Sequence, residues 1–319
     1  MIMAMEIPQK MRAIRYFTYG GVDVLRCEEV HVPEAGENEV LVRVHAVGVN
    51  PGDWQIRSGL AGDRFKLPYI PGWDVSGVVA SVGAGVTSFR PGDAVYGMTV
   101  NSGGCAEYVI VPAGHLALKP ESIDFVEAAA LPQSGFTAWH ALFVQGKLET
   151  GQTVLINGAA GGVGHLAVQL ARWKGARVIG AASARNESYL LDLGVDAFVD
   201  YTASLPAEIE RSVDIVLDTA GGENVDWLLN TLKPGGRLVP ITRGRYSFDN
   251  AAKASVTVQE VQFPPIATAY LDELTRLVNG GQLNITIDSM FPLEETGKAH
   301  EKSESRRARG KIVIRVLKW

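Results

Sequence analysis

The residues best suited to chemistry in this 319-residue chain lie in a glycine-rich bend. The bend follows the apolar segment "TVLIN" and precedes a helical pattern, which is the context in which such bends bind dinucleotides. Glycine lets the backbone approach a pyrophosphate closely, and the start of the following helix offers N–H groups and a partial positive charge. We therefore predict a dinucleotide site at the bend, which consists of Ala159, Ala160, Gly161, Gly162, Val163 and Gly164.

The end of the second strand in this region indicates which dinucleotide is bound. NAD sites usually carry an Asp or Glu about 20 residues after the first glycine, where the carboxylate binds the ribose hydroxyls. Here Ala182 and Ser183 occupy that region, and Arg185 follows closely. A hydroxyl and a guanidinium suit a 2′-phosphate, which a carboxylate would repel. Tyr201, at the end of the next strand, is expected to cover the adenine or reach the same phosphate, so the sequence favours NADPH.

Composition and charge argue against several other classes of function. Hydrophobic residues make up 46% of the chain and charged residues 20%, which is a globular composition. The net charge of −5 provides no basic surface for nucleic acid or an anionic membrane. No apolar run is long enough to span a bilayer, and Cys27 and Cys105 are too few for a disulfide framework. We therefore expect a cytoplasmic protein with neither a nucleic-acid nor a membrane partner.

The order of strands and helices predicts an α/β protein with two domains. Short strand-like runs separated by Gly and Pro dominate up to about residue 130, which is typical of a barrel-like β domain. Apolar strands then alternate with helices, including one over about 162–174, which predicts a parallel sheet covered on both faces. Strand-like segments return after a helix predicted over 266–279, so the α/β domain is expected to be inserted into the β-rich one.

Several segments between about Met11 and Trp319 occur in an order typical of one enzyme superfamily. They are "AVGVNPGDW", "LPYIPGWDVSGVVASVGAGVTSFRPGDAVYG", "CAEYVIVP", "INGAAGGVGHLAVQLA", "LKPGGRLV" and "RGKIVIRV". Together they resemble the medium-chain dehydrogenase/reductase superfamily, in its zinc-free quinone oxidoreductase (zeta-crystallin-like) branch. The resemblance implies a homodimer and a coenzyme cleft between two domains. These are a GroES-like β-rich domain over 1–132 and 281–319, and a Rossmann doubly wound parallel-sheet domain over 133–280.

Three positions distinguish this branch from its zinc-dependent relatives. By the resemblance, the relatives' two cysteine ligands and one histidine ligand correspond to Asn50, roughly Gln133, and Trp73. Zinc is held by thiolate, imidazole or carboxylate groups, and Asn and Trp are not ordinary ligands. The 6 histidines are scattered singly, without metal-ligand spacing. We therefore expect no bound metal.

Without a metal to activate a carbonyl, a conjugated acceptor is the easier substrate. Hydride added to a quinone or an α,β-unsaturated carbonyl spreads negative charge onto oxygen, which hydrogen-bond donors can stabilise. The resemblance places Asn50 near the nicotinamide and substrate, and Arg57 and Tyr69 are further candidate donors. Asp53 is expected to orient its neighbours rather than transfer a proton. The final proton is expected from water or Tyr69, because the phenolic donors common in the branch are missing here.

Further residues are assigned to the acceptor and the coenzyme. An apolar pocket able to stack on a flat substrate is predicted from Trp54, Trp73 and Phe263, although each could equally belong to the core. Further coenzyme contacts are implied by the resemblance and by the positions of strand ends: Thr137, Thr219, Ala220, Ile241 and Thr242. Two other functions stay open from the sequence, a metal-free reductase of simple carbonyls and a non-catalytic NADPH-binding protein.

Overall fold

The structure, a computed structural model, describes residues 6–62, 64–203, 207–223, 225–242, 244–253, 255–259 and 267–317. These residues divide into two compact units. The first comprises those up to Gln133, then 267–281, and those from Ile285 onward. The second comprises those from Ser134 to 259 and Gln282–Asn284, so it is inserted into the first along the chain.

The strands are numbered in chain order. They are β1 (Lys10–Arg15), β2 (Arg26–His31), β3 (Glu39–Val49), β4 (Asp74–Val82), β5 (Ala94–Met98), β6 (Tyr108–Pro112), β7 (Leu116–Leu118), β8 (Thr153–Asn157), β9 (Arg177–Ala182), β10 (Ala197–Asp200), β11 (Val213–Asp218), β12 (Leu232–Pro240), β13 (Thr257–Val258), β14 (Ile287–Pro292) and β15 (Lys311–Arg315).

The α-helices are numbered in the same way, and His140–Gln145 continues α3 as a π-helix. They are α1 (Pro51–Arg57), α2 (Phe125–Ala129), α3 (Pro132–Trp139), α4 (Gly164–Trp173), α5 (Glu187–Leu193), α6 (Trp227–Thr231), α7 (Phe248–Lys253), α8 (Thr268–Asn279) and α9 (Thr296–Glu304). Within the described ranges, none of these helices is long and apolar enough to cross a membrane.

The first unit is built on a mixed sheet of 7 strands. They lie in the order β14-β15-β3-β4-β5-β7, and β6 pairs with β3. Strand β3 reads "EVLVRVHAVGV" and is mostly buried, because its β-branched side chains pack well on both faces of a central strand. Antiparallel pairing brings Asp74 opposite Gly48 and Ile312 opposite Val49. One end of each of β3, β4 and β15 therefore lies beside the start of α1.

The second unit is built on a parallel sheet of 6 strands in the order β10-β9-β8-β11-β12-β13. Strands β9 and β11, which follow β8 in the chain, lie on opposite sides of it, so the winding reverses at β8. Helix α4 joins β8 to β9, and its residues from Gly164 to Ala171 are all buried. This is the predicted doubly wound parallel sheet, with ligand-binding loops expected at the carboxyl ends of its strands.

Helix α8 differs from its predicted domain assignment. The sequence placed it in the parallel-sheet domain, whereas the structure groups it with the first unit. The hydroxyl of Tyr96 on β5 donates to the carbonyl oxygen of Leu271 at 2.7 Å and lies 3.0 Å from Thr275 Oγ1. Thr268 Oγ1 donates to the Gly114 carbonyl oxygen at 2.8 Å. These bonds tie the helix to β5 and to the turn before β7, and helical periodicity carries no sign of them.

Candidate functional site

The glycine-rich bend joins the end of β8 to the start of α4. Gly158 has a φ of +75°, a left-handed conformation that favours glycine. A Cβ added to Gly164 would lie 2.2 Å from the Gly158 carbonyl oxygen and 2.7 Å from Ala159 Cα. Helix α4 therefore packs against the bend at a distance that only glycine allows.

Backbone N–H groups remain available along the bend. Within the part of the chain that the structure describes, the N–H groups of Ala160, Gly162 and Val163 donate to no backbone acceptor. A Cβ on Gly161 would meet a single atom within 4 Å, the Gly158 carbonyl oxygen at 3.3 Å. Unpartnered N–H groups before a helix are suited to phosphate oxygens. The bend therefore fits the pyrophosphate of a dinucleotide.

His165 supports the bend from the protein interior. Its side chain is fully buried, and its Nδ1 lies 2.9 Å from the Gly161 carbonyl oxygen. Gln169, one helical turn later, donates through Nε2 to the His165 carbonyl oxygen at 3.0 Å and to the Asn284 carbonyl oxygen at 2.9 Å. These side chains therefore hold the bend and the first turns of α4 in place.

The residues predicted to select the coenzyme follow β9 and β10. Ala182 is buried, and the half-buried Ser183 accepts a hydrogen bond from Asn186 Nδ2 at 3.1 Å. Arg185 is exposed in the 3₁₀ turn that follows β9, and Tyr201 is 49% exposed after β10. All of these residues lie at the carboxyl edge of the parallel sheet, where such sheets bind ligands.

An acid does lie near these residues, at the end of the neighbouring strand. Asp200 ends β10 and pairs with Ala182 in the register of the sheet. Its carboxylate accepts hydrogen bonds from the Thr202 hydroxyl at 2.7 Å and the Thr202 N–H at 2.9 Å, and these bonds hold the pKa of Asp200 below its usual value. The Ala184 N–H also bonds to this carboxylate, so Asp200 is engaged both in its own turn and by the turn after β9, while Ser183, directly after β9, is uncharged.

A buried aspartate organises the loop after β11. Asp218 Oδ1 accepts hydrogen bonds from Asn157 Nδ2 at 2.8 Å and from the N–H groups of Ala220 at 2.9 Å and Gly221 at 3.0 Å. The Tyr246 hydroxyl donates to the other carboxylate oxygen. Burial, followed by the neighbouring Asp218, raises the pKa of Tyr246. The network ties together the ends of β8 and β11, the two adjacent strands beside the bend.

The remaining predicted coenzyme residues also belong to the second unit. Thr219 Oγ1 lies 2.8 Å from the carbonyl oxygen of Asn157, which ends β8, and 3.2 Å from that of Gly158, which follows it. The Ile241 N–H donates to the Asp218 carbonyl oxygen at 3.0 Å, and Thr242 follows it, half-buried. Thr137 is buried on α3. Thr219, Ile241 and Thr242 therefore lie at strand ends, and Thr137 lies on a helix.

In the first unit, Asn50 belongs to a buried polar cluster at the end of β3. Lys311 Nζ donates to Asn50 Oδ1 at 2.6 Å and to the Val49 carbonyl oxygen at 3.2 Å. Asn50 Nδ2 donates to Asp74 Oδ2 at 3.0 Å, and the same oxygen lies 3.7 Å from Lys311 Nζ. Asn50 is 4% exposed, Asp74 0% and Lys311 3%. These three side chains are named the Asn50–Asp74–Lys311 cluster below.

Asp53 holds the backbone around Asn50. Its Oδ2 accepts a hydrogen bond from the Asn50 N–H at 2.8 Å, and its Oδ1 accepts one from the Gly72 N–H at 3.0 Å. The side chain is buried. Both carboxylate oxygens therefore bind main-chain donors, an arrangement that fixes the first turn of α1 against the segment before β4.

Burial shifts the ionisation of three groups in this region. It raises the pKa of Asp53 to about 7, against hydrogen bonds from Asn50 and Gly72 that lower it. Burial also raises the pKa of Asp74 to about 6, against the nearby charge of Lys311. The pKa of Lys311 is lowered by burial, and Asp74 opposes that shift. Asp74 and Lys311 thus each favour the ionised form of the other.

The structure corrects one predicted hydrogen-bond donor and places another. The guanidinium of Arg57 donates to the Gly20 carbonyl oxygen at 2.6 Å and to Glu304 at 3.1 Å, so it is engaged in a link between α1 and α9. Tyr69 is buried, its backbone bridges to Tyr16, and the two rings lie 5.4 Å apart. Burial raises the pKa of Tyr69, so its hydroxyl holds its proton more tightly than a solvent-exposed phenol.

The residues predicted to line a substrate pocket are only partly described. Trp54 lies on α1 and is buried. Trp73 is half-buried, belongs to the apolar cluster around Tyr69, and packs edge to face on Phe65 with ring centroids 6.2 Å apart. Phe263 lies outside the described residues. Trp54 and Trp73 are therefore the sequence neighbours of Asp53 and Asp74, and Trp73 packs against apolar residues.

The positions that correspond to zinc ligands in the relatives carry groups with other contacts. Asn50 binds Asp74 and Lys311, and Trp73 packs on Phe65. The Gln133 N–H donates to Asp74 Oδ1 at 3.1 Å. Among the residues whose placement is described, no three His, Cys, Asp or Glu side chains are grouped so as to hold a metal ion.

Sequence reasoning missed four residues of these networks, namely Asp74, Lys311, Asp218 and Tyr246. Asp74 begins β4, Lys311 begins β15 and Asp218 ends β11, all of which are otherwise largely apolar strands. An ionisable residue at the end of an apolar strand is a usable signal, because burying it requires a partner. Tyr246 carries no comparable signal.

Known proteins resemble this chain over nearly its full length. Residues 36–121 match the alcohol dehydrogenase GroES-like domain family, and residues 193–314 match the zinc-binding dehydrogenase family. Quinone oxidoreductase from Sus scrofa is 35% identical over 321 residues, which cover 95% of this chain and 97% of the relative. The chloroplastic NADPH-dependent alkenal/one oxidoreductase from Arabidopsis thaliana is 34% identical over 330 residues, which cover 97% of this chain and 80% of the relative.

A solved structure of a quinone oxidoreductase is also similar to this chain. The quinone oxidoreductase from Coxiella burnetii is 34% identical and aligns with a TM-score of 0.84, covering 97% of this chain and 100% of that one. The GroES-like match falls within the first unit, and the second unit carries the parallel sheet. The predicted combination of a GroES-like domain and a Rossmann domain is therefore confirmed.

Proposed function

The chain belongs to the medium-chain dehydrogenase/reductase superfamily, in its quinone oxidoreductase branch, and from that premise we propose that it is an NADPH-dependent reductase of quinones or α,β-unsaturated carbonyls that works without zinc. When bound, NADPH supplies a hydride to the acceptor and leaves as NADP⁺, and one proton completes the hydroquinone or saturated carbonyl. The relatives from Sus scrofa and Arabidopsis thaliana support this acceptor class by their names.

The second unit would hold the coenzyme. The N–H groups of Ala160, Gly162 and Val163, which donate to no backbone acceptor among the described residues, suit the pyrophosphate, and this is the single observation that carries the proposal. Ser183 and Arg185 would bind the 2′-phosphate, and Tyr201 would cover the adenine or reach the same phosphate. Further contacts would come from the bend and the nearby strand ends: Ala159, Gly161, Gly164, Thr219, Ala220, Ile241 and Thr242, with Thr137 on α3.

The first unit would handle the acceptor. Asn50 is proposed as the hydrogen-bond donor to the acceptor oxygen, because negative charge develops there as hydride arrives at carbon. Asp53 would hold the Asn50 backbone through the bond at 2.8 Å. Trp54, Trp73 and Phe263 are proposed to contact the flat substrate. Water is the favoured source of the last proton, because burial raises the pKa of Tyr69.

Steady-state rates on three acceptors test the proposal. The acceptors are a quinone, an enal and the saturated aldehyde of the same carbon skeleton, each assayed with NADPH and with NADH. We expect the quinone or the enal to be reduced fastest, NADPH to be preferred, and the purified protein to carry no stoichiometric zinc by elemental analysis.

Four outcomes would contradict parts of this proposal. Fastest turnover of the saturated aldehyde would point to a reductase of simple carbonyls. Saturable NADPH binding without reduction of any acceptor would point to a non-catalytic binding protein. Zinc that survives dialysis against a chelator would contradict the zinc-free assignment. Preference for NADH would contradict the NADPH assignment. The homodimer and the cytoplasmic location stay predictions from the sequence.

A further inference from the structure

The Asn50–Asp74–Lys311 cluster fixes the orientation of one side-chain amide. Lys311 Nζ lies 2.6 Å from one end of the Asn50 amide, and Asp74 Oδ2 lies 3.0 Å from the other. An ammonium group only donates hydrogen bonds, and an ionised carboxylate only accepts them. The amide oxygen therefore faces Lys311 and the amide nitrogen faces Asp74, because the flipped arrangement would lose both bonds.

One N–H of the Asn50 amide has no hydrogen-bond acceptor within the described part of the cluster. The Asn50 amide nitrogen carries two hydrogens. One is bonded to Asp74, and within the described residues the other has no acceptor. Lys311 already faces Asn50, the Val49 carbonyl oxygen and Asp74, while the second oxygen of Asp74 accepts the Gln133 N–H. The second N–H of Asn50 is thus a donor of fixed orientation.

Stability alone gives a weak reason for burying this ion pair. Two charges lose their hydration on burial, and replacing a buried pair by apolar residues of similar volume is often neutral or stabilising. Lys311 is 3% exposed and Asp74 is 0% exposed, so neither charge reaches bulk water. What the pair does, and apolar residues cannot do, is hold and polarise the amide between them.

We propose that Lys311 and Asp74 are positioning residues, which hold the Asn50 amide so that its second N–H donates to the acceptor oxygen on which negative charge develops. This inference rests on the proposed function, which supplies such an oxygen. The bond from Lys311 to the amide oxygen fixes the amide, and polarisation by the ammonium charge adds a smaller effect, so a neutral N–H donor at this position keeps most of the function. Such a bond is strongest when the acceptor oxygen is most negative, so it stabilises the transition state more than the bound substrate.

Two double variants test this role, and each removes one positive and one negative charge, so the net charge of the protein stays the same. Asp74→Asn with Lys311→Met removes both charges and the donor to Asn50 Oδ1. Asp74→Asn with Lys311→Gln removes the same charges but keeps an N–H donor of similar length. We expect kcat to fall about 10- to 100-fold in the Met variant, with a smaller change in KM, and to stay within about 3-fold of the wild type in the Gln variant. Equal kcat in the two variants would overturn the inference.

A binding measurement separates positioning from turnover. In the presence of NADP⁺, 4-nitrophenolate presents a negatively charged oxygen like that of the developing product, whereas nitrobenzene lacks this oxygen. We expect the Met variant to bind 4-nitrophenolate at least about 10-fold more weakly than the Gln variant, with nitrobenzene affinity unchanged. Equal losses for both probes would indicate a merely structural role and overturn the inference.

A matched control comes from a lysine pair in the second unit. Lys233 Nζ lies 2.9 Å from Asp214, and both side chains are partly exposed. Lys233→Met removes a lysine charge of the same kind at a surface position, so kcat and 4-nitrophenolate binding are expected to match the wild type. A fall in kcat as large as that of the Met double variant would show that the effect is not specific to Lys311 and would overturn the inference.

A background without the amide separates loss of positioning from other damage. In an Asn50→Ala protein, the Asp74→Asn and Lys311→Met pair is expected to cause no further fall in kcat, because both residues act through Asn50. A further fall would overturn the inference. If the wild type reduces no quinone or enal while the 4-nitrophenolate difference persists, the proposed function fails and the positioning role stands. If the wild type reduces the quinone or the enal but the variants bind 4-nitrophenolate equally, the proposed function stands and the positioning role fails.

Discussion

The glycine-rich bend of the second unit and the Asn50–Asp74–Lys311 cluster of the first are built from different kinds of atoms. The bend offers the main-chain N–H groups of Ala160, Gly162 and Val163, and it needs only small side chains that leave them accessible. The cluster uses side chains from three strand ends, and Lys311 lies 261 positions from Asn50. A site made of the backbone of neighbouring residues can be predicted from the sequence. A site assembled from side chains that are distant in the sequence can be recognised only once the fold is known.

The two regions should also respond differently to substitution. Adding atoms damages the bend, because its function depends on close approach. Removing a partner damages the cluster, because a buried charge left alone is costly. The following variants test this contrast, beginning with the largest expected effect.

Gly164→Ala is expected to have the largest effect in the bend. The new Cβ would lie 2.2 Å from the Gly158 carbonyl oxygen, so α4 must move away from β8. We expect the free energy of unfolding to fall by about 1–3 kcal/mol, as for overpacked cores, together with a loss of NADPH binding. Urea unfolding and coenzyme fluorescence titration measure the two effects.

Gly161→Ala provides the matched control for this variant. Its Cβ would meet only the Gly158 carbonyl oxygen, at 3.3 Å, so the fold should tolerate it. We expect near-normal stability with weaker NADPH binding, because the methyl group occupies the side on which the pyrophosphate approaches. Loss of stability equal to that of Gly164→Ala would refute the distinction between packing and binding glycines.

Arg185→Ala tests whether a side chain, rather than the backbone, selects the coenzyme. Loss of one charge-assisted bond to the 2′-phosphate is expected to cost about 1.5–3 kcal/mol of NADPH binding, which is roughly a 10- to 100-fold rise in Kd. Arg177→Ala, at the opposite end of β9, should leave the Kd unchanged. NADH affinity that falls as much as NADPH affinity would argue against 2′-phosphate recognition.

The pH dependence of stability tests the buried carboxylates of the first unit. The pKa of Asp53 is raised from 3.8 to about 7 in the folded protein, so between these values the folded state holds a proton that the unfolded state has released. The free energy of unfolding therefore falls as pH rises through this window, by at most about 1.4 kcal/mol per pH unit for one group. Asp74, with a pKa raised to about 6, contributes in the same direction.

Asp53→Asn removes one of these two contributions. We expect urea unfolding between pH 5 and 7 to show a flatter dependence on pH than in the wild type. Asp23→Asn, at an exposed position, should leave the dependence as it is. A slope that Asp53→Asn does not change would mean that Asp53 titrates as a solvated carboxyl group.

His300→Leu is the variant with the smallest expected effect, and it contrasts an unpartnered buried side chain with the partnered Lys311. Within the described residues neither ring nitrogen of His300 has a hydrogen-bond partner, although the residue is 1% exposed. Burial, and then Arg57, lowers the pKa of His300 to about 3. Because Leu removes two unsatisfied polar atoms, we expect stability unchanged or raised by up to about 1 kcal/mol in urea unfolding. Marked destabilisation would reveal a bonded imidazole.

The fold was predictable where the signal was local. Alternating strands and helices indicated the parallel sheet, and the predicted helix over about 162–174 is Gly164–Trp173 in the structure. The assignment of α8 was not predictable, because it depends on the hydroxyl of Tyr96, which lies 175 positions from Leu271. Helical periodicity shows that a helix exists but does not show which sheet it packs on.

The candidate site followed the same division. The bend and the uncharged position after β9 were read from neighbouring residues. Arg57 looked like a substrate donor because it follows the Asn50 motif, yet Glu304, 247 positions away, engages its guanidinium. Asp74 and Lys311 lie in two of the segments that carry the family resemblance, but nothing in those segments indicates that the two side chains meet. The pairing of β3 with β4 and β15 brings these two side chains next to Asn50.

The place of β15 beside β3 has a consequence for how the protein is made. Chains emerge from the ribosome with the N-terminal end first, so Asn50 and Asp74 are synthesised long before Lys311. Until β15 docks, the carboxylate of Asp74 must stay hydrated, and the ends of β3 and β4 stay open to water. Docking of β15 delivers the missing ammonium and closes the sheet in one event. A nascent chain interrupted before β15 therefore keeps an exposed, unpaired edge at β3, which can pair with a strand of another chain.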